Sequence, residues 1–554
     1  MTLLRFLFRL SPRMVVLAIL FGLISGAGSA GLLALISAAL TRREFSPRLA
    51  LAFLGLCLLA LVSRFTSDFI LSYLGHGSSL QLRMKLSQQI LAAPLRHVEQ
   101  LGPGRLYATL TEDVSSIINA LLNLPLLCIN FAVVLGCVVY LIWLSPLLSL
   151  IVLGFILFGG LTYQIPILKG THWQKLARDG TDALFTHFRG LTEGVKELKL
   201  HGRRRHAFLY ESLFPVAESL RRNHNRSMTY FIAAGSWGQT LFFVFMGMLL
   251  FVLPFSRQLD GNVLIACTVT VLYIVHPLDS LMNSVSYMSR ANVALNKVET
   301  LGLSLAAQTE SSSAGELTQT KYEWDFLELN GVTHSYHREQ ENSSFILGPI
   351  DLTFIPGELV FIIGGNGSGK TTLLKVLSGL YTPEAGEIQF NGVPVTAETV
   401  EHYRQYFSVV FSDFYLFDSL LGIEEKNLDA RAFEYLKLLH LDHKVKIQNG
   451  VLSTTELSQG QRKRLALLVA YLEDRPINIF DEWAADQDPQ FKEVFYHELL
   501  PDLKARGKTV IIISHDDRYY HEADRIIKLE NGNVEYDKQL IATRHAPASL
   551  VAGL

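Results

Sequence analysis

Residues 364–371 read Gly-Gly-Asn-Gly-Ser-Gly-Lys-Thr, a spacing suited to holding phosphate. Gly364, Gly367 and Gly369 let backbone N–H groups turn inward around phosphate oxygens, with Asn366 and Ser368 between them. Lys370 can reach the outer phosphates, and the Thr371 hydroxyl can hold Mg²⁺. The apolar run Val360-Phe361-Ile362-Ile363 before the loop reads as a buried strand. The run from Thr372 onward reads as a helix whose positive N-terminal end faces the anion. The bland alternative is a glycine turn that binds nothing. A strand before, a helix after and every fixed position present weigh against it.

Asp481 closes the apolar run Ile477-Asn478-Ile479-Phe480, where an acid can hold Mg²⁺ through water. Glu482 beside it is a candidate general base for an attacking water. Alone, such a pair reads as a solvated strand end; behind a phosphate loop, the catalytic reading prevails. Two more segments complete the set: Leu457-Ser458-Gln459-Gly460-Gln461, and Ser514-His515-Asp516. Ser458 and Gly460 would open a helix expected over residues 461–471, whose N-terminus also suits an anion. ATP and Mg²⁺ are the ligands these residue types expect.

The elements that must position this chemistry follow a hydrophobic front half. Hydrophobic residues make up 49% of the 554, high for a soluble protein. Six apolar stretches approach the ~20 residues a bilayer requires: 14–40, 49–74, 120–144, 146–168, 228–252 and 262–282. The first is too long for a cleaved signal peptide, and further spans follow it. The polar segments 76–119 and 169–227, with Arg203-Arg204-Arg205, read as cytoplasmic. Arg42, Arg43 and Arg48 in the first outer loop run against that rule, but the inner segments outweigh them. Cys57, Cys128, Cys137 and Cys267 all lie in apolar runs and read as small core residues, with no zinc spacing. The net charge of −2 gives no sign of a nucleic-acid partner.

Polar groups at membrane depth are costly and therefore candidates for a substrate cavity. Arg64 and Asp68, four apart on one helix face, Gln239, His276 and Asp279 are those candidates. For the first two, a simple internal ion pair is an equal reading.

The motifs in this order resemble the ATP-binding cassette (ABC) family, over nearly the whole chain. The resemblance implies an α-helical six-span transmembrane domain of exporter type fused to an α/β P-loop ABC ATPase domain. It implies boundaries at 1–303 for the membrane domain, 304–321 for a Ser-rich linker, 322–540 for the cassette and 541–554 for a tail. It makes Leu457, Ser458, Gln459, Gly460 and Gln461 the signature that covers the γ-phosphate on a second cassette, with Gln459 where glycine is commoner. His515 matches the switch histidine, Asp488 the loop that crosses the dimer, and Tyr336 the aromatic that stacks on adenine. Two departures stand out. Ser412 occupies the place of a coupling glutamine, leaving Asp413 as a stand-in, and Trp483 follows Glu482 where proline is usual.

A signature cannot serve the nucleotide on its own cassette, and the chain carries one cassette. A homodimer is the simplest solution, and a heterodimer with a related half is the alternative. Within ABC exporters, Asp481-Glu482-Trp483-Ala484-Ala485-Asp486-Gln487-Asp488-Pro489 and Ser514-His515-Asp516-Asp517 resemble the bacterial cyclic-peptide and siderophore exporters. That group includes pyoverdine, syringomycin and lasso-peptide exporters. The resemblance implies ATP-driven export of a peptide-like metabolite across a bacterial inner membrane, with the ATPase in the cytoplasm. A lipid flippase and a regulatory ATPase without transport are the competing readings.

Overall fold

The computed structural model describes residues 11–42, 47–252, 261–306, 323–338, 343–423 and 427–540. It divides into two compact units: Met1–Met84 with Ala108–Thr300, and Lys85–Tyr107 with Leu301–Leu554. The long helices are α1 (Pro12–Arg42), α2 (Pro47–Ala92), α4 (Val114–Leu144), α5 (Pro146–Glu193), α6 (Phe214–Gly247) and α7 (Gly261–Ala306); the short α3 spans Leu95–Leu101. The tail 541–554 and the expected linker from 307 onward lie outside the described residues, and residues 304–306 continue α7.

In the first unit, six helical stretches among the described residues are long and apolar enough to cross a membrane, as the sequence suggested. Several run far past the bilayer. The 48 residues of α5 make about 72 Å of helix, against ~30 Å of hydrocarbon. A sharp break separates α4 from α5. Ser145 is extended, its hydroxyl accepts from the Leu148 N–H at 3.4 Å, and Pro146 takes the first helical position, where no N–H is needed. Helices meet through small and polar groups. The Ser67 hydroxyl donates to the Ala18 carbonyl at 2.8 Å, and the Asn130 amide donates to the Ser280 hydroxyl at 2.8 Å. Cys128, Cys137 and Cys267 are buried and unpaired, in keeping with a packing role. On α2, Leu51, Leu54, Leu58, Leu61, Phe65 and Phe69 face outward at three- and four-residue spacing, an apolar stripe suited to lipid.

The second unit holds two sheets. Strands β1 (Leu327–Arg338), β2 (Ser343–Phe354), β4 (Ala385–Phe390) and β5 (Val393–Pro394) form an antiparallel sheet in the order β2-β1-β4-β5. The larger sheet runs β12-β11-β3-β10-β9-β6, from β3 (Leu359–Ile363), β6 (Phe407–Val410), β9 (Ile477–Asp481), β10 (Thr509–Ile513), β11 (Arg525–Glu530) and β12 (Asn533–Gln539). A two-residue pair, β7 (Ile447–Gln448) with β8 (Val451–Leu452), stands apart. Strands β11, β3, β10, β9 and β6 are parallel. They read as near-continuous apolar runs because both faces are covered. Phe361, Phe480, Val510 and Ile512 enter one core; Val360, Ile362, Ile477, Ile479, Ile511 and Ile513 enter the other.

This topology positions the site. The phosphate loop leaves the C-terminal end of β3, Asp481 ends β9 with Glu482 just after it, and Ser514-His515 follow β10, which lies between β3 and β9. Ser412 follows the neighbouring β6. Ligands of open α/β sheets bind at such carboxyl ends.

Candidate active site

The phosphate loop turns where a side chain would not fit. Gly364 has φ +149°, and a Cβ there would come within 2.2 Å of the Leu529 carbonyl oxygen. The loop ends in α8 (Lys370–Leu377), with Thr371 and Thr372 in its first turn. Gly365, Asn366 and Gly367 are exposed, whereas Ser368 and Lys370 are buried. The Lys370 ammonium donates to the carbonyls of Gly364 and Gly365, each at 2.9 Å. Burial pulls its pKa below the ordinary lysine value, opposed by the charges of Glu482 and Asp481.

Asp481 receives three donors. Thr371 Oγ1 reaches its Oδ2 at 3.0 Å and Ser412 Oγ at 3.2 Å, with a further bond from the Ser412 backbone. Burial nevertheless pushes its carboxyl pKa up, partly offset by the Thr371 bond. Its Oδ1 and the Ser368 hydroxyl are buried without a partner among the described residues. Such orphans are rare and ask for a ligand. An unused carboxylate oxygen beside a threonine hydroxyl fits Mg²⁺, and an unused hydroxyl under the loop fits phosphate.

Glu482 sits in a left-handed turn, φ +47°, with its N–H bonded to the Ile513 carbonyl at 3.2 Å. Its Oε1 lies 2.9 Å from His515 Nε2. The pair opens into a cleft shared with Lys492 and Asp516. Trp483 is buried, stacked on Phe495 with ring centroids 4.3 Å apart, and its indole N–H donates to the Lys463 carbonyl at 2.8 Å. The tryptophan thus secures by packing a turn where the related pattern has proline.

The signature motif opens α9 (Gln459–Glu473), two residues earlier than expected. Ser458 is the N-cap, and a reciprocal bond with Gln461 forms a capping box. The box satisfies backbone N–H groups that a helix started at Gln461 would leave orphaned. Ser458 and Gln459 are exposed, and Leu457 packs against the core. A Cβ on Gly460 would fall 2.6 Å from the Asp486 carbonyl oxygen, so the helix and the loop after β9 touch backbone to backbone. Asp488 caps the next short helix through the Phe491 N–H at 2.9 Å and pairs with Arg464 at 2.5 Å. The Phe491 bond, then Arg464, hold its carboxyl below the usual range.

Tyr336 lies on β1 opposite Phe345; its side chain is outside the described set. Asp413 is exposed and makes no hydrogen bond or ion pair among the described residues. Arg64 and Asp68 approach at 3.9 Å and are both largely exposed. Gln239, His276 and Asp279 are exposed, and no hydrogen bond among the described residues joins them to one another.

One contact set escaped the sequence reading. Within the second unit, Glu99 of α3 binds Lys375 at 2.8 Å and the Tyr381 hydroxyl, and Arg96 binds Glu384 at 2.6 Å. Glu384 also takes the Ser335 hydroxyl at 2.7 Å. Pro94 and Gly102-Pro103, which bracket α3, were the available signal for a short isolated helix.

Comparison with known proteins bears on this arrangement. Residues 13–272 match the family described as ABC transporter transmembrane region, and residues 347–485 the family described as ABC transporter. The chain is 38% identical over 544 residues to the ATP-binding protein SyrD of Pseudomonas syringae pv. syringae, covering 97% of this chain and 96% of that protein. It is 26% identical over 509 residues to the ATP-dependent lipid A-core flippase of Alkalilimnicola ehrlichii, covering 87% and 82%. A solved structure described as a bacterial Atm1-family ABC exporter with ATP bound is similar with a TM-score of 0.72 at 16% identity, covering 96% of this chain and 95% of that one. That likeness concerns the fold.

Proposed function

The chain belongs to the ABC transporter family as an exporter-type half-transporter that couples ATP hydrolysis to transport, and from that premise we propose that it exports a peptide-like secondary metabolite, a siderophore or a precursor of one. The observation that carries this reading is the full-length likeness to SyrD, at 38% identity against 26% for the lipid A-core flippase. The resemblance of residues 481–489 to the cyclic-peptide exporters points the same way. The flippase relatives keep lipid translocation as the second reading.

Lys370, Ser368 and the loop N–H groups bind the phosphates of ATP. Thr371 and Asp481 hold Mg²⁺, which when bound neutralises charge on the outer phosphates. Glu482 takes the proton of the attacking water, and His515 orients its carboxylate. Ser458 and Gly460 act on the nucleotide of a second copy, so the working unit is a homodimer in the bacterial inner membrane with its cassettes in the cytoplasm. ATP draws the cassettes together and hydrolysis releases them, turning a central cavity outward by alternating access. Arg64, Asp68, Gln239, His276 and Asp279, exposed on the single chain, are the groups such a cavity would use.

Inverted membrane vesicles carrying the protein test the assignment. We expect ATP-driven uptake of cyclic lipopeptides or siderophores, absent with Lys370→Ala. Translocation of lipid A-core without peptide uptake would replace this reading with the flippase.

A further inference from the structure

Helix α9 begins at the signature, which serves the partner's nucleotide, while Glu482 serves its own cassette's. Lys463, in the second turn of α9, joins them. Its side chain is 3% exposed. The ammonium donates to the Glu482 carbonyl oxygen at 2.8 Å and pairs with Asp486 Oδ2 at 2.8 Å. The Lys463 carbonyl in turn accepts the Trp483 indole N–H at 2.8 Å. The same residue therefore grips the chain on both sides of the bond between Glu482 and Trp483.

That grip falls where the backbone needs it. Glu482 carries a Cβ in the left-handed region, a conformation that persists only where the surroundings over-determine it. Elsewhere the turn is fixed by the Glu482 N–H on Ile513 and by the ring of Trp483 on Phe495. The Glu482 carbonyl accepts the Ala485 N–H at 3.3 Å, and Lys463 supplies the shorter bond to it, from a side chain. A buried ammonium tolerates this place because a carbonyl and a carboxylate satisfy it. The neighbouring Arg464 extends the link, donating to Gln487 at 2.8 Å and Asp488 at 2.5 Å, while Gln487 donates to the Gly460 carbonyl at 3.0 Å.

We propose that Lys463 is a positioning residue for hydrolysis: it holds Glu482 in the turn that presents its carboxylate to His515, and so ties the base of one site to the helix that serves the other. The proposal rests on Glu482 being the general base.

The test uses the full-length protein in nanodiscs with Mg²⁺ and ATP. Lys463→Met should lower kcat about 10- to 100-fold, the scale of a misplaced catalytic group, with ATP affinity and thermal midpoint held. Lys463→Arg, which keeps the cation, should recover part of the loss. The double variant with Glu482→Gln should be no slower than Glu482→Gln alone, because Lys463 acts through that carboxylate. A folded Lys463→Met with unchanged kcat, or a double variant slower by the full product, overturns the proposal. Should Lys463→Met fail to fold, Trp483→Phe decides. It removes the N–H but keeps a ring on Phe495, and unchanged kcat there also overturns the proposal. A Glu482→Gln protein as fast as the parent would instead remove the general-base reading beneath it.

Discussion

His515 Nε2 lies 2.9 Å from Glu482 Oε1, although the two residues are 33 apart in sequence. They meet because β9 and β10 are parallel neighbours that end at one level, Asp481 opposite Ile513. The imidazole nitrogen is thus within hydrogen-bond distance of one carboxylate oxygen.

Glu482→Gln should therefore retain ATP binding and lose turnover by roughly 10²–10⁴, the range for a positioned acid–base group. Phosphate release and equilibrium nucleotide binding, measured on one preparation, separate the two. Turnover near the parent level would count against the assignment.

The signature's exposed Ser458 predicts that sites form between copies. Dimers with Lys370→Ala in one subunit and Ser458→Arg in the other place both lesions in one composite site and leave the other whole. They should keep about half of the parent ATPase if the sites fire independently, whereas dimers with both lesions in each subunit should be inactive. ATP hydrolysis by a strict monomer would contradict a shared site.

Ser412 donates to the Asp481 carboxylate, and Asp413 is exposed with no hydrogen bond or ion pair among the described residues. Removing one such hydrogen bond costs about 0.5–1.5 kcal/mol. Ser412→Ala should accordingly raise the Mg²⁺ concentration for half-maximal ATPase by roughly two- to tenfold. Asp413→Ala should leave that requirement unchanged and alter, at most, transport per ATP. A Mg²⁺ titration of each variant distinguishes them.

Glu99 ties α3 to Lys375 on the phosphate-loop helix. Glu99 is more than a third exposed, so the pair adds at most about 1 kcal/mol of stability. Glu99→Ala should leave the thermal midpoint and unstimulated ATPase nearly intact while reducing the stimulation of ATPase by transported substrate. Full stimulation in that variant would show that the contact carries no signal.

The cassette's chemistry was legible because phosphate-loop recognition depends on backbone turns of fixed local spacing. The loop from Gly364 through Thr372 is identifiable from its own spacing, whereas Asp481, Glu482 and His515 are read only from their order behind it. The membrane helices were legible too, since a bilayer imposes a length that hydropathy exposes. Their continuation, as in the 46 residues of α2, was legible only in outline. Tertiary structure decided the rest. Trp483 looked like a departure until packing placed it on Phe495 and Lys463. Lys463 is buried because the loop after β9 closes over it. Ser412 gained a role only when β6 settled beside β9. Each of these depends on a partner far away in sequence, and such distances are set by strand order and core packing, which leave no mark in local spacing.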